Sequence, residues 1–219
     1  MSALGALLEL LHDGQPASVQ VTYRDTQAVR PNLQLKVLPT PGKKVTGLRW
    51  QGAGPFPRPI GAVRRFWYEA PDRLRVQISE GDVIARVAVR NGAKWWRWDS
   101  TEGESDGEIE PTGPHSILQF PPLLCPPILD PARLIADFRL EPLGARVIAD
   151  RDVYRARGTP RLLRPDVDIW DEFDFDAEHA TVLRRAMGEA GRIIAVTEAI
   201  EVLYDNKIEP GRFDFGLRP

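Results

Sequence analysis

The dipeptide Asn91-Gly92 constrains the fold more than any other feature, because it lies between two runs of alternating residues. Asn-Gly in that setting is a strong signal for a two-residue hairpin turn of type I′. A turn at this dipeptide predicts two antiparallel strands with Val87 opposite Trp96 and Ala85 opposite Trp98. Because the register of a strand fixes the face that each side chain occupies, the turn also predicts one apolar face and one polar face.

Two further corners extend this pairing to a meander of four strands between residues 64 and 98. The corner Ser79-Glu-Gly-Asp82 predicts strands paired with Val76 opposite Ala85, and the corner Ala70-Pro-Asp72 adds a strand before them. The predicted apolar face reads Phe66–Val76–Ala85–Trp98 and Tyr68–Leu74–Val87–Trp96, with Ile78 opposite Val83. The predicted opposite face reads Trp67–Arg75–Arg86–Arg97.

Composition indicates a soluble globular protein, with 42% hydrophobic and 27% charged residues in 219. We predict a single domain over residues 1–219, in which the proline- and glycine-rich stretch 39–61 is a loop or an insertion. The net charge of −2 argues against general nucleic-acid binding. The single cysteine, Cys125, excludes an internal disulfide and fits a reducing compartment.

The N-terminal stretch predicts an amphipathic helix, because Leu4, Leu7, Leu8 and Leu11 follow helical spacing. It lacks the basic start of a signal peptide, and Glu9 interrupts its apolar run, so we expect it to pack on the core. No run approaches the roughly 18 apolar residues that a membrane span needs. A cytoplasmic location is therefore expected.

The rest of the chain predicts further strands at 18–25, 33–38, 145–156, 168–175, 181–187 and 192–204. An acidic loop is expected at 101–114, a short helix at 131–138, and a last short strand or clamp at 208–215. About nine hairpin-joined strands in one antiparallel sheet must curl or close. The predicted fold class is mainly β (α+β): a curved antiparallel sheet or incomplete β-barrel, with the N-terminal helix and the short second helix capping its concave face.

The concave face is the candidate ligand site, because either helices or a ligand must fill it. Its predicted lining is apolar and comes from the meander and from the last long strand. The residues are Phe66, Tyr68, Leu74, Val76, Ile78, Val87, Trp96, Trp98, Ile194, Val196, Ile200 and Val202.

Four segments resemble motifs of the LolA-like superfamily of lipoprotein carriers, and especially its sigma-factor-regulator-like and actinobacterial lipoprotein-like members. Residues 66–75 are similar to the aromatic segment that begins the family's meander, and residues 91–98 to its Gly-x-x-Trp strand. Residues 173–183 are similar to a family hairpin, although Ala180 replaces its glycine. Residues 210–213 are similar to the segment with the family's closing Phe. The resemblance implies half a barrel whose concave side, capped by helices, holds acyl chains or an apolar segment of a partner. It implies no catalytic residues. Typical members are exported, whereas this chain shows no signal.

Candidate residues for chemistry are few. The histidines His12, His115 and His179 are far apart, and none lies in a nucleophile motif. Asp174, Asp176 and His179 are weak candidates for a metal site, since oxygen ligands suit a hard cation. Alternating Phe173 and Phe175 explain the same stretch as a half-buried strand with an acidic outer face. No cofactor is predicted, and Cys125 is interpreted as an inert apolar residue.

Arg75, Arg86 and Arg97 are predicted to stand side by side on the outer face of the meander. Like charges directly opposite each other destabilise a sheet, so something must offset them. One explanation is intramolecular, with Trp67 stacking on Arg75 and an acidic loop over the row. The other is an anionic partner or a membrane surface.

Two functions follow as hypotheses. The first is a non-catalytic carrier or sensor that holds an acyl or other hydrophobic ligand in the concave face. The second is a protein-interaction module that binds a partner protein or peptide through the groove or a sheet edge. An enzyme has the least support among the residues of the chain.

Overall fold

The computed structural model describes residues 3–14, 16–28, 61–108, 134–135, 138–161, 168–209 and 211–216. Within these residues it has one helix, α1 (Ala3–Asp13), a short helical piece at 134–135, and eleven strands. The strands are β1 (Ser18–Ala28), β2 (Val63–Glu69), β3 (Arg73–Glu80), β4 (Val83–Asn91), β5 (Lys94–Asp99), β6 (Gly103–Glu108), β7 (Phe138–Ile148), β8 (Arg151–Pro160), β9 (Ile169–Asp176), β10 (Val182–Glu189) and β11 (Arg192–Tyr204).

All eleven strands form one antiparallel sheet in the order β6-β5-β4-β3-β2-β1-β11-β10-β9-β8-β7. The sheet therefore consists of two meanders, β1–β6 and β7–β11, joined by the central pair β1–β11. It is open, with β6 and β7 at its two ends. The predicted fold class, a mainly β chain with an unclosed antiparallel sheet and an N-terminal helix, is confirmed.

The predicted pairing of β2 with β3 is correct. Phe66 lies opposite Val76 and Tyr68 lies opposite Leu74, with Ala70-Pro-Asp72 as the corner. Glu69 and Arg73 close this hairpin with an ion pair of 2.6 Å. The long last strand also begins and ends where the sequence predicts, at Arg192 and Tyr204.

The turn between β4 and β5 lies one residue further along than predicted. Asn91 pairs with Lys94, so Gly92 and Ala93 form the corner. Gly92 has a φ of +63°, and a glycine with positive φ at the first corner position is typical of a type II′ turn. As a result Val87 faces Trp98, where the sequence predicted Trp96. Because the shift is two residues in the partner strand, it leaves the relative faces of β4 and β5 unchanged.

A β-bulge at Ala85 has a larger effect on the register. Ser79 pairs with Ile84, whereas Ile78 pairs with Arg86, so Ala85 is an extra residue in β4. The extra residue turns the rest of β4, and β5 beyond it, to the other face relative to β3. Val76 consequently lies opposite Ala88, and the predicted pairs Val76–Ala85 and Leu74–Val87 are wrong.

Three predictions in the rest of the chain are also corrected. The predicted strand 145–156 is a hairpin whose corner, Ala149-Asp150, has positive φ at both residues. Part of the predicted acidic loop forms β6. The predicted second helix ends before Phe138, which begins β7, and only Leu134 and Ile135 of it are described as helical. The predicted strand 33–38, the loop 39–60 and Cys125 lie outside the described residues.

The two faces of the sheet are covered by different parts of the chain. On one face, called here the helix face, Leu7 and Leu11 of α1 pack against Phe173 and Ala156. On the opposite face, called here the tail face, Phe213 packs among tryptophans and valines of β2, β4 and β5. We call residues 205–216 the C-terminal segment; the predicted clamp at 208–215 falls within it.

Candidate ligand-binding face

The helix face continues across the centre of the sheet. From Phe173, paired residues lead through Arg185 on β10 and Thr197 on β11 to Asp25 on β1. Since side chains alternate along a strand, Val21 shares the face of Asp25, and its partner Phe66 lies on that face as well. The apolar surface under α1 and the apolar surface of β1–β3 are therefore two parts of one face.

Six of the twelve predicted lining residues lie on this helix face. They are Phe66, Tyr68, Leu74, Val76, Ile78 and Val202. Phe66, Leu74 and Val76 are each only 1% exposed and pack with Val19 and Val21 of β1. Tyr68 and Val202 are half-buried at the margin of the same cluster.

The other six predicted lining residues do not join them. Val87, Trp96 and Trp98 lie on the tail face because of the bulge at Ala85. Val196 also points to the tail face, opposite Ala186. Ile194 and Ile200 are the extra residues of two bulges in β11, and the side chain of Ile200 is 47% exposed. The prediction of one continuous wall is therefore wrong for Val87, Trp96, Trp98 and Val196, and the two bulges interrupt the wall at Ile194 and Ile200.

The tail face of β2–β5 is occupied by the protein itself. Phe213 is buried against Trp67, Val87, Val89 and Trp96. The guanidinium of Arg212 lies 4.9 Å from the ring centroid of Trp67, within the range of a cation–π interaction. Trp96 and its neighbours thus form the surface on which the C-terminal segment packs.

The predicted arginine row does not exist, because the same bulge separates its members. Arg75 lies on the tail face between Trp67 and Val89, whereas Arg86 and Arg97 lie on the helix face. Burial, together with the nearby charge of Arg212, lowers the pKa of Arg75. Its Nη1 atom lies 3.5 Å from the carbonyl oxygen of Arg212, and its buried Nε atom has no hydrogen-bond partner among the described residues.

The two carboxylates among the weak metal candidates are hydrogen-bonded to arginines. Asp174, which is fully buried, accepts hydrogen bonds from Arg146, Arg155 and Arg184. Asp176 accepts hydrogen bonds from Arg151 and from Tyr204, whose hydroxyl lies 3.1 Å away.

The ring of His179 stacks on Tyr204 at a centroid distance of 3.9 Å. Burial raises the pKa of that tyrosine strongly. In the described part of the chain, no three histidine, cysteine or acidic residues are grouped as metal ligands would be.

Charged pairs that no sequence pattern indicated lie inside the sheet. On the helix face Arg64 pairs with Asp25, which also accepts a hydrogen bond of 2.5 Å from the hydroxyl of Thr197. Arg185 forms a bidentate ion pair with Asp171, with N···O distances of 2.9 and 3.1 Å. The partners in each pair come from different strands, and only the register brings them together.

A surface cleft of about 480 Å³ lies where β1 and β2 approach the C-terminal segment. Its lining includes Glu69, Arg73, Asp205, Lys207 and Glu209. No helix in the described part of the chain is both long enough and apolar enough to cross a membrane.

Comparison with known proteins identifies the fold. No protein-family model matches the chain, and no curated protein matches its sequence. The complex structure of Pseudomonas aeruginosa MucA/MucB matches over 98% of this chain and 60% of that chain, with 13% identity and a TM-score of 0.53. An uncharacterized conserved protein from Thermus thermophilus matches over 97% of this chain and 93% of that chain, with 9% identity and a TM-score of 0.55.

A LolA superfamily protein from Nitrosomonas europaea also matches, over 98% of both chains, with 11% identity and a TM-score of 0.36. The chain spans about three fifths of the length of the matched chain in the MucA/MucB complex. At such identities the likeness concerns the fold alone. The LolA-like fold that the sequence motifs predicted is confirmed.

Proposed function

Because the chain has a LolA-like fold, we propose that it is a non-catalytic binding protein that holds an acyl or other hydrophobic ligand against its helix face. The observation that carries this proposal is a row of apolar side chains across four neighbouring strands. Val202, Val21, Phe66 and Val76 lie opposite one another in sequence from β11 to β3. Such a row gives a continuous surface on which a hydrocarbon chain loses its contact with water.

Burial decides how a ligand reaches this surface. Phe66, Val76 and Val21 are at most 1% exposed, so a ligand contacts them only after whatever covers them has moved aside. The half-buried Tyr68 and Val202, at the margin of the cluster, are the first side chains that an entering ligand would meet. Binding is then coupled to an opening of the helix face, as expected of a carrier that must both load and release.

The proposal is tested by identifying the ligand and then filling its space. Natively purified protein is expected to yield a lipid of defined mass in organic extracts, measured by mass spectrometry. Val76→Phe places a ring on the helix face and is expected to remove most of this lipid. Because Val76 is almost fully buried, the larger side chain is also expected to cost about 1–3 kcal/mol through overpacking, so the lipid content is the quantity that tests the proposal.

Val89→Phe is the matched control, since Val89 is as buried as Val76 but lies on the tail face. It is expected to retain the lipid and to lose about 1–3 kcal/mol through overpacking. Wild-type extracts that contain no lipid, or equal amounts of lipid in the two variants, would contradict the proposal.

A second candidate function is binding of a partner protein, which two observations favour. The sheet is open, and among the described strands β6 and β7 each pair on one side only. A free strand edge presents N–H and C=O groups that an added strand can use. The matched solved structure from P. aeruginosa is itself a complex, MucA/MucB. A stoichiometric partner that is recovered equally well before and after delipidation would favour this function over lipid carriage.

A further inference from the structure

Three arginines surround Ala88 on the helix face. Arg97 of β5 lies directly opposite Ala88, and Arg86 and Arg90 lie two residues before and after it on β4. Alternation places all three on the same face as Ala88. With a rise of about 3.3 Å per residue and about 4.8 Å between strands, each Cα lies within about 7 Å of the Cα of Ala88. We call Arg86, Arg90 and Arg97 the arginine triangle.

The positive charge of this triangle is only partly balanced. Arg86 pairs with Asp99 at 2.5 Å. The Nε of Arg97 donates to the hydroxyl of Ser105 at 2.6 Å, and its Nη2 lies 3.6 Å from Glu102 in a longer and solvent-exposed pair. The Nε of Arg90 donates to the carbonyl oxygen of Gly92 at 3.0 Å, and no carboxylate within the described ranges forms an ion pair with Arg90. Three guanidinium groups therefore face two carboxylates.

The triangle lies at the end of the apolar row that carries the proposed function. Paired residues run Val202–Val21–Phe66–Val76–Ala88–Arg97 from β11 to β5. Five strand spacings make this row about 24 Å long. The row is apolar over five strands and ends at a guanidinium group on the sixth. An amphiphile has the same arrangement, with an apolar chain and a polar group at one end.

Resting on the proposed binding of a hydrophobic ligand, we propose that the arginine triangle binds the anionic head group, a phosphate or a carboxylate, of an amphiphile whose apolar chain lies along this row. A guanidinium donates two parallel hydrogen bonds to either group, which gives both affinity and orientation. The incomplete pairing of Arg90 and Arg97 leaves donors available for such a group. A neutral hydrocarbon would derive no benefit from these arginines.

The experiment compares two lipids with the same chains, dioleoyl phosphatidic acid and dioleoylglycerol, by native mass spectrometry of the full chain. The wild-type protein is expected to prefer the phosphatidic acid by about tenfold, the effect of one charge-assisted hydrogen bond. Arg97→Gln is expected to remove this preference while leaving dioleoylglycerol binding unchanged. Because the side chain of Arg97 is 46% exposed, the substitution should not prevent folding.

Arg65→Gln is the matched control, since Arg65 is an exposed arginine on the tail face of β2, opposite Gln77. It is expected to keep the preference of the wild-type protein. Equal binding of the two lipids by the wild-type protein, or a preference that survives in Arg97→Gln, would overturn the head-group site and leave the proposed function standing.

Failure of the wild-type protein to bind either lipid would contradict the proposed function itself. Inorganic phosphate that binds as tightly as the phosphatidic acid would show a simple anion site and would also overturn the role of the amphiphile.

Discussion

At the scale of single residues, the buried carboxylates of β9 depend most on their partners. Asp174 has no exposed surface and is bound by three arginines. We expect Asp174→Asn to lower the free energy of unfolding by about 3 kcal/mol, because it leaves the buried Arg184 and two partly buried arginines without their counter-charge. Glu178→Gln removes a carboxylate whose side chain is 74% exposed, and should change stability by less than about 1 kcal/mol. Urea unfolding measures both, and equal effects would contradict the prediction.

The same residues show what the sequence conceals at this scale. Alternating Glu172, Asp174 and Asp176 indicate, from the sequence, a solvated acidic face or, less readily, metal ligands. Their burial depends on arginines that lie 10, 19 and 28 residues from Asp174 along the chain. Local alternation identifies a strand, but it contains no information about which distant charges the strand will meet.

At the scale of elements, a sheet that is covered on both faces explains the main error of register. The sequence-based register assigns Val87 to the apolar face on the assumption that the other face of the sheet is polar. Both faces of β4 are buried near its centre, so alternation no longer tells one side from the other. The corner Ala70-Pro-Asp72 fixed β2 against β3 correctly, whereas the bulge at Ala85 has no distinctive residue to mark it. Half of the candidate site could therefore be predicted and half could not.

The C-terminal segment provides the prediction at this scale, because it contains two phenylalanines in different environments. Phe213 is 4% exposed among the tryptophans of the tail face, and Phe215 is 39% exposed. We expect Phe213→Ala to cost about 3–5 kcal/mol and to shift the tryptophan fluorescence to longer wavelength, since Trp67 and Trp96 lose their cover. Phe215→Ala should cost less than about 1 kcal/mol and leave the fluorescence unchanged. Matching spectra for the two variants would show that the segment does not seal this face.

At the scale of the whole molecule, acid stability should depend on buried carboxylates. Burial raises the pKa of Asp176, but hydrogen bonds from Arg151 and from the backbone N–H groups of Glu178 and His179 outweigh it and bring the pKa below its ordinary value. The pKa of Asp99 is lowered in the same way, with burial opposed by hydrogen bonds from Thr101. A carboxyl group whose pKa is lower in the folded state stabilises the fold above its unfolded pKa.

This contribution is lost as the pH falls further, through the folded pKa. We therefore expect the free energy of unfolding to decline below about pH 4. The decline should be shallower in Asp176→Asn, which has one such group fewer. Urea titrations between pH 3 and pH 6 measure the two slopes, and an unchanged slope in the variant would assign the acid sensitivity to other groups.

The central pair of strands has a consequence for how the chain reaches this structure. β1 and β11 lie side by side, yet Val21 and its partner Val202 are separated by almost the whole chain. The strands β2–β6 on one side and β7–β11 on the other can form from local hairpins, which lose little chain entropy when they close. The seam between them requires both meanders to meet in register, and contacts of such long sequence separation slow the search for the native state. We therefore expect the surface that carries the apolar row to form late in folding, when the distant strands β1 and β11 pair.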